Sequence, residues 1–173
     1  ISYYDKHATR NPEMGTISFI NVEPLTYQKA YYHDYHGWRD TLTTASEAFN
    51  VFEANADEDI VAVSFFTAEN NVDFSVKIFG ALTDGELSDE RISHSGSVEF
   101  SGLHTIDLPY FVSYYDGEPF YLYLELSLGG HPYDRTSDVP VLLGASSRAI
   151  VPSTAAENQS FYKLDGNWVD FYN

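Results

Sequence analysis

The sequence predicts an all-β fold: a two-sheet antiparallel β-sandwich, jelly-roll-like, with an extended N-terminal arm. Three observations carry this. Apolar residues recur at every second position rather than at three and four, which is the period of a strand. Short alternating runs are separated at near-regular spacing by Gly, Pro, Asn and Asp, as in sandwiches. The chain holds 14 Tyr and 12 Phe, residues that favour pleated, half-buried surfaces.

The clearest stretch is Gly102 to Leu128, read as two strands around a wide turn at Tyr114 to Pro119. In its second strand Phe120, Leu122, Leu124, Leu126 and Leu128 share one parity. Tyr121, Tyr123, Glu125 and Ser127 share the other. One face is greasy and the other polar-aromatic, so a second layer must cover the greasy side.

In chain order, residues 1–6 (ISYYDK) are strand-like, and residues 7–15 carry the turn signals Asn11-Pro12 and Gly15. Residues 16–24 make an extended connector or an edge strand ended by Pro24. Residues 1–24 are therefore read as an arm and 25–173 as the sandwich. Tyr31 to Trp38 is expected to be a short strand and a turn at Gly37. A strand should begin near Ala48, although Ser46 to Glu53 leaves room for a short helix. Ile60 to Thr67 is apolar on both faces, as in a central strand.

Val72 to Leu82 alternates cleanly, with Val72, Phe74, Val76 and Ile78 on one side. Thr83 to Glu90 is a loop around the turn signal Asp84-Gly85, and Arg91 to Phe100 is a strand. Beyond Leu128, Gly129 to Val139 is a long polar loop, and Val139 to Ile150 contains two short apolar runs. Gln159 to Leu164 and Trp168 to Tyr172 form a closing hairpin around Asp165-Gly166-Asn167.

The length of 173 residues suits one domain with a real core. A net charge of -17 repels nucleic-acid backbones and anionic lipid, so neither is an expected partner. No apolar run reaches membrane-spanning length, which sets membrane insertion aside. The absence of Cys excludes disulfides, thiolate metal sites and a Cys nucleophile. The chain opens in mid-strand at Ile1 and reads as a piece of something longer.

Two aromatic groups are candidate ligand-binding residues. Tyr32, Tyr35 and Trp38, beside Tyr31, could form a stacking platform for a sugar ring; core packing is the competing reading. Tyr121 and Tyr123 with Glu125 could bind a glycan on an open sheet face, with the carboxylate accepting hydroxyl hydrogen bonds. Trp168 is read as an anchor whose indole N–H finds a loop carbonyl. His33 and His36 form H-x-x-H, but on a strand the two would diverge. His104, in phase with Ile106 and Leu108, reads as a satisfied core histidine. The acidic turns Asp57-Glu58-Asp59 and Asp84 to Glu90 read as solvated turns. The first offers Asp57 and Asp59 as oxygen ligands should calcium bind. No other cofactor and no catalytic residue is expected: no nucleophile elbow is present, and no carboxylate pair can be placed across a cleft.

The ordered series YYHDYHGW, AFNVFEANADEDIVAVSFFTA, VDFSVKIFG, SGLHTIDLPYFVSYYDGEPFYLYLEL and QSFYKLDGNWVDF resembles one known arrangement. It is similar to the lectin-like domain that follows papain-type (C1 family) peptidase domains in secreted bacterial and archaeal proteins. The likeness runs from about Tyr31 to the C-terminus, and SFY-x-x-DG-x-W is its most telling unit. ISYYDK also resembles the last strand of the peptidase domain in such proteins. The resemblance implies a non-catalytic, carbohydrate- or cell-surface-binding module of a secreted or cell-surface protein. Its partners would be a glycan or surface polymer and an upstream peptidase domain, which would hold the catalytic residues. The alternative is a structural module that packs on the peptidase and binds no sugar.

Overall fold

The computed structural model describes residues 26–142 and 148–172, together with Phe19, Val22 and Pro24. The expected strand at residues 1–6 and most of the connector at 16–24 lie outside the described residues. Every regular element described is a strand, in order β1 (Asp40–Leu42), β2 (Glu47–Glu53), β3 (Glu58–Thr67), β4 (Val72–Thr83), β5 (Glu86–Val98), β6 (Gly102–Tyr114), β7 (Pro119–Leu126), β8 (His131–Tyr133), β9 (Ser137–Leu142), β10 (Arg148–Ser153), β11 (Ser160–Leu164) and β12 (Asn167–Asp170). All pairings are antiparallel. The fold is an all-β antiparallel sandwich, as the alternation predicts.

The main layer is a six-stranded sheet in the order β12-β11-β2-β7-β4-β5, and β3-β6 forms the opposing pair. Two further pairs, β1-β8 and β9-β10, complete the strands. The core lies between the layers. Phe52, Val72, Phe74, Val76, Ile78, Phe120 and Leu126 come from the large sheet, and Val63, Phe65, Leu108, Val112 and Tyr114 from β3-β6. Each such side chain contributes roughly 1.5–3 kcal/mol by leaving water. The parities read for β4 and β7 are those observed: Phe120 and Leu126 are buried, and Leu122 and Leu124 pack against the core. Leu128, beyond the end of β7, is exposed.

Several expectations need correction. Gly102 to Leu128 does form two strands around a turn, as read, but the two do not pair with each other: β6 pairs with β3 and β7 with β2 and β4, so the chain changes layer at residues 115–118. Two greasy faces joined by a short turn can either pair or face each other, and here they face. Strand β3 is not central, for β6 is its one partner among the described residues. Between Ile60/Val112 and Ala62/Asp107 its register slips, leaving Leu108 to Phe111 opposite Val61 alone. That bulge exposes Val61, Tyr110 and Phe111.

The expected loop Thr83–Glu90 is a two-residue turn. Asp84 and Gly85 sit at φ 53° and 85°, the paired left-handed conformation that joins twisted strands tightly. Ser46 to Glu53 is strand rather than helix, and the polar segment after Leu128 contains β8.

Tyr31 to Trp38 is not a strand. Its backbone closes local turns, Tyr35 N–H to His33 O and Gly37 N–H to Asp34 O, with Gly37 at φ 65°. The segment runs alongside β3. The Tyr31 hydroxyl bonds to Glu58 near one end, and Trp38 tilts on Phe66 at 6.3 Å near the other. Tyr31 also packs edge-on against Phe120 at 5.4 Å, so part of this aromatic cluster is core.

Candidate functional site

The face of the six-stranded sheet turned away from the core holds the densest chemistry. The registers align its side chains in rows. One row runs Trp168, Lys163, Glu47, Glu125, Ser75, Ser95, and the next runs Phe161, Phe49, Tyr123, Lys77, Ser93. Val51, Tyr121 and Phe79 form a third. Alternation alone puts them on one side, since each is out of phase with the core positions of its strand.

Phe49 is the hub. Phe161 stacks on it at 4.7 Å, Trp168 stands edge-on at 4.7 Å, and Tyr121 meets it edge-on at 6.2 Å. Although it faces away from the core, Phe49 is only 2% exposed. These rings make a second, smaller apolar cluster and a platform at the β2-β11-β12 end. Among the described residues the Trp168 indole N–H has no hydrogen-bond acceptor, so the loop carbonyl expected for it is not among them. Trp168 instead stands perpendicular to Phe49 and Tyr123, with centroids 4.7 and 6.2 Å away.

Beside the platform lies a polar knot. The Tyr123 hydroxyl donates to Glu47 Oε2 at 3.0 Å and reaches Glu125 Oε2 at 3.3 Å. Lys163 Nζ donates to Glu47 Oε2 at 2.8 Å and lies 5.2 Å from the centre of the Trp168 ring. Desolvation first, then the hydrogen bond and charge of Glu47 and the charge of Glu125, push the Tyr123 phenol far above its usual range. The phenol therefore stays protonated and locks two carboxylates side by side. Glu125 itself is exposed, as are Ser93, Ser95 and Ser97 on β5, so the β7-β4-β5 part of the face meets solvent.

The six candidate residues fall into two groups. Tyr121, Tyr123 and Glu125 belong to this outer face. Tyr123 is 8% exposed, so it offers a rigid hydroxyl rather than a stacking plane, while Tyr121 is half-buried. Tyr32, Tyr35 and Trp38 lie on the segment beside β3, whose Tyr31 and His33 contact the core-facing Phe52. That is the opposite side of the large sheet. Tyr32 and Tyr35 meet edge-on at 5.4 Å and are both more than half exposed. The Trp38 indole donates to Thr41 Oγ1 at 2.9 Å. Glu47, Phe49, Phe161 and Lys163 were not among the candidates.

The H-x-x-H pair diverges. His33 Nε2 donates to Val51 O at 2.8 Å, and His36 Nε2 to Val151 O at 2.7 Å. Around His36 lies a polar latch joining the Tyr31–Trp38 segment to β9 and β10. His36 Nδ1 is 3.1 Å from Ser137 Oγ, the His36 amide donates to Asp134 Oδ2 at 2.8 Å, and Ser153 Oγ donates to the same oxygen at 2.6 Å. Burial alone would raise the Asp134 carboxyl; the hydrogen bonds from Ser153 and the His36 and Arg135 amides outweigh it and hold it below the ordinary value. Both imidazole nitrogens are engaged with the protein, which marks a fastening rather than a reaction centre.

His104 Nε2 meets Thr67 Oγ1 at 3.1 Å and is thereby satisfied, though it is only half-buried. Asp57 Oδ1 accepts the Asp116 amide at 3.1 Å and Asp59 Oδ1 accepts the Ser113 hydroxyl at 2.6 Å. Among the described residues no three His, Asp or Glu side chains gather as a metal set, and no helix is long and apolar enough to cross a membrane.

No curated protein matches the chain. Among solved structures, that of the cysteine protease and lectin-like domains of Cwp84, a surface layer associated protein of Clostridium difficile, aligns with a TM-score of 0.48 at 17% identity. The alignment covers 75% of this chain and 29% of that one. The model of the lectin-like domain family matches residues 30–173, the whole of the sandwich described above. The chain belongs to the lectin-like domain family.

Proposed function

We propose that this domain is a non-catalytic binding module for carbohydrate or another cell-surface polymer, within a secreted multidomain protein that carries a papain-type peptidase. The observation that carries the binding reading is the outer face of the six-stranded sheet. There an aromatic platform adjoins two carboxylates fixed by one phenol. Sugar rings present C–H faces to aromatic planes and hydroxyl donors to carboxylates, so the two halves of the face suit the two halves of a pyranose. Membership of the lectin-like family and the peptidase resemblance of the flanking sequence support the wider setting. Such a module would hold the enzyme near its substrate by raising effective concentration.

A glycan array probed with the domain, and with Tyr121→Ala and Glu125→Gln, tests this. Specific binding that the substitutions weaken is the expected result. Binding to no glycan overturns the carbohydrate reading.

A second reading has its own observation. Leu103, Tyr110, Phe111 and Tyr115 on and beyond β6 are between 58% and 73% exposed, an apolar strip that a neighbouring domain would cover. In that reading the domain packs against the peptidase and binds no sugar. Mixing it with the separately produced peptidase domain and measuring association separates the two.

A further inference from the structure

Glu47 and Glu125 are directly opposite one another on β2 and β7. Like charges at such a position ordinarily destabilise a sheet. One of them has a cation: Lys163 Nζ sits on Glu47 at 2.8 Å and beside the Trp168 ring at 5.2 Å. This is the pairing by which proteins receive ammonium groups, a carboxylate plus an aromatic face. Among the described residues no cation pairs with Glu125, whose one contact is the phenol proton it shares with Glu47. The other nearby lysine, Lys77, is held by Glu90 at 3.1 Å. Beyond Glu125 the same row offers only Ser75 and then Ser95, a low and open floor.

We propose that this face takes glycans bearing free ammonium groups, that is, chains of amino sugars whose nitrogens are not acylated, with Glu125 as the counter-ion. The inference rests on the outer face being the glycan surface and names the ligand class it selects. An ammonium at Glu125 would mirror the Lys163–Glu47 pair one strand away and relieve the opposed carboxylates. A basic peptide offers the same ammonium. A lysine stem, however, needs apolar surface along which to lie, and the serine floor supplies none. Flat, hydroxyl-rich rings suit it better.

The net charge of -17 attracts any polycation, so the variant decides the matter: Glu125→Gln alters that charge by one. Calorimetric titration would compare glucosamine hexamer, N-acetylglucosamine hexamer and oligolysine in a mildly acidic, low-salt buffer. The wild-type domain should bind the amino form at least about tenfold more tightly than the acetylated form. Glu125→Gln should abolish that preference, weakening the amino form about tenfold more than it weakens the acetylated form. Lys163→Met, which frees Glu47 of its internal ammonium, should raise affinity for the amino form.

Equal binding of the two sugars, or a preference that survives Glu125→Gln, overturns the ammonium inference and leaves the glycan surface standing. Binding of oligolysine alone, sensitive to Glu125→Gln, overturns it in favour of a basic peptide. Failure of both sugars and of every glycan on the array overturns both readings.

Discussion

Glu47 on β2 and Glu125 on β7 face each other across one register position, and both reach the hydroxyl of Tyr123, at 3.0 and 3.3 Å. A phenol has one proton, so the two acceptors share it and are held together against their own repulsion. Tyr123→Phe removes that proton. It should leave the fold intact, lower stability by about 1 kcal/mol, and do so less at high salt, where the carboxylates repel less. Urea denaturation at two ionic strengths checks this; a loss independent of salt would mean that the carboxylates do not drive it.

Tyr114 is 1% exposed, and its hydroxyl has no partner among the described residues. An unsatisfied buried hydroxyl costs stability, so Tyr114→Phe should raise the urea midpoint, by the equivalent of about 1 kcal/mol. Desolvation, set against the charge of nearby Arg91, pushes this phenol up to about 12. A raised folded value favours the protonated form. Its contribution is whole below the unfolded value of about 10 and is lost as pH rises through 12. Tyr114→Phe should remove that part of the alkaline decline. A lower midpoint for the variant would show that the hydroxyl does have a partner.

On the acid side the group to watch is His131. Its Nε2 donates to Ser46 O at 2.8 Å, and burial holds its imidazole below the ordinary value. The fold prefers it neutral. Its contribution is whole above the ordinary histidine value of about 6.5 and is lost as pH falls from there through the depressed folded value. His131→Gln should therefore cost stability at neutral pH and cost less under mild acid. Thermal melts across that window test it; a constant difference would contradict the assignment.

Gly130 shows where the backbone tolerates nothing else. It sits at φ 72°, and a Cβ there would lie 2.2 Å from Leu42 O. Neither backbone can move without breaking the β1-β8 pair that begins at the next residue. Gly130→Ala should destabilise by more than about 2 kcal/mol, whereas Gly117→Ala, with φ 80° but open space around it, should cost about 1 kcal/mol. Comparable losses would mean that the close approach is relieved.

The strands were legible wherever the signal is local. Alternation in β4 and β7 fixes which residues face the core, and Asp-Gly fixes the β4-β5 and β11-β12 turns. What alternation cannot give is the partner. The chain from Gly102 to Leu128 has the pattern of a hairpin and the topology of a layer change, because pairing and facing bury the same residues. The outer face was half-visible for the same reason. Tyr121, Tyr123 and Glu125 share a parity on one strand, but Lys163 meets Glu47 across 116 residues of chain. Trp168 was read through its indole donor, and packing against Phe49 decided its position instead. Tyr31 to Trp38 misled as a strand because a segment lying beside one must also bury aromatics on more than one side.

The most direct test of the binding face uses the two tryptophans, since Trp168 lies on the outer face and Trp38 on the segment beside β3. Trp38→Phe leaves Trp168 as the lone indole reporter, and Trp168→Phe leaves Trp38. Titrated with the tightest glycan from the array, the first variant should change its fluorescence in step with binding and the second should not. A response from Trp38 with silence from Trp168 would move the ligand to the other side of the sheet and contradict the account.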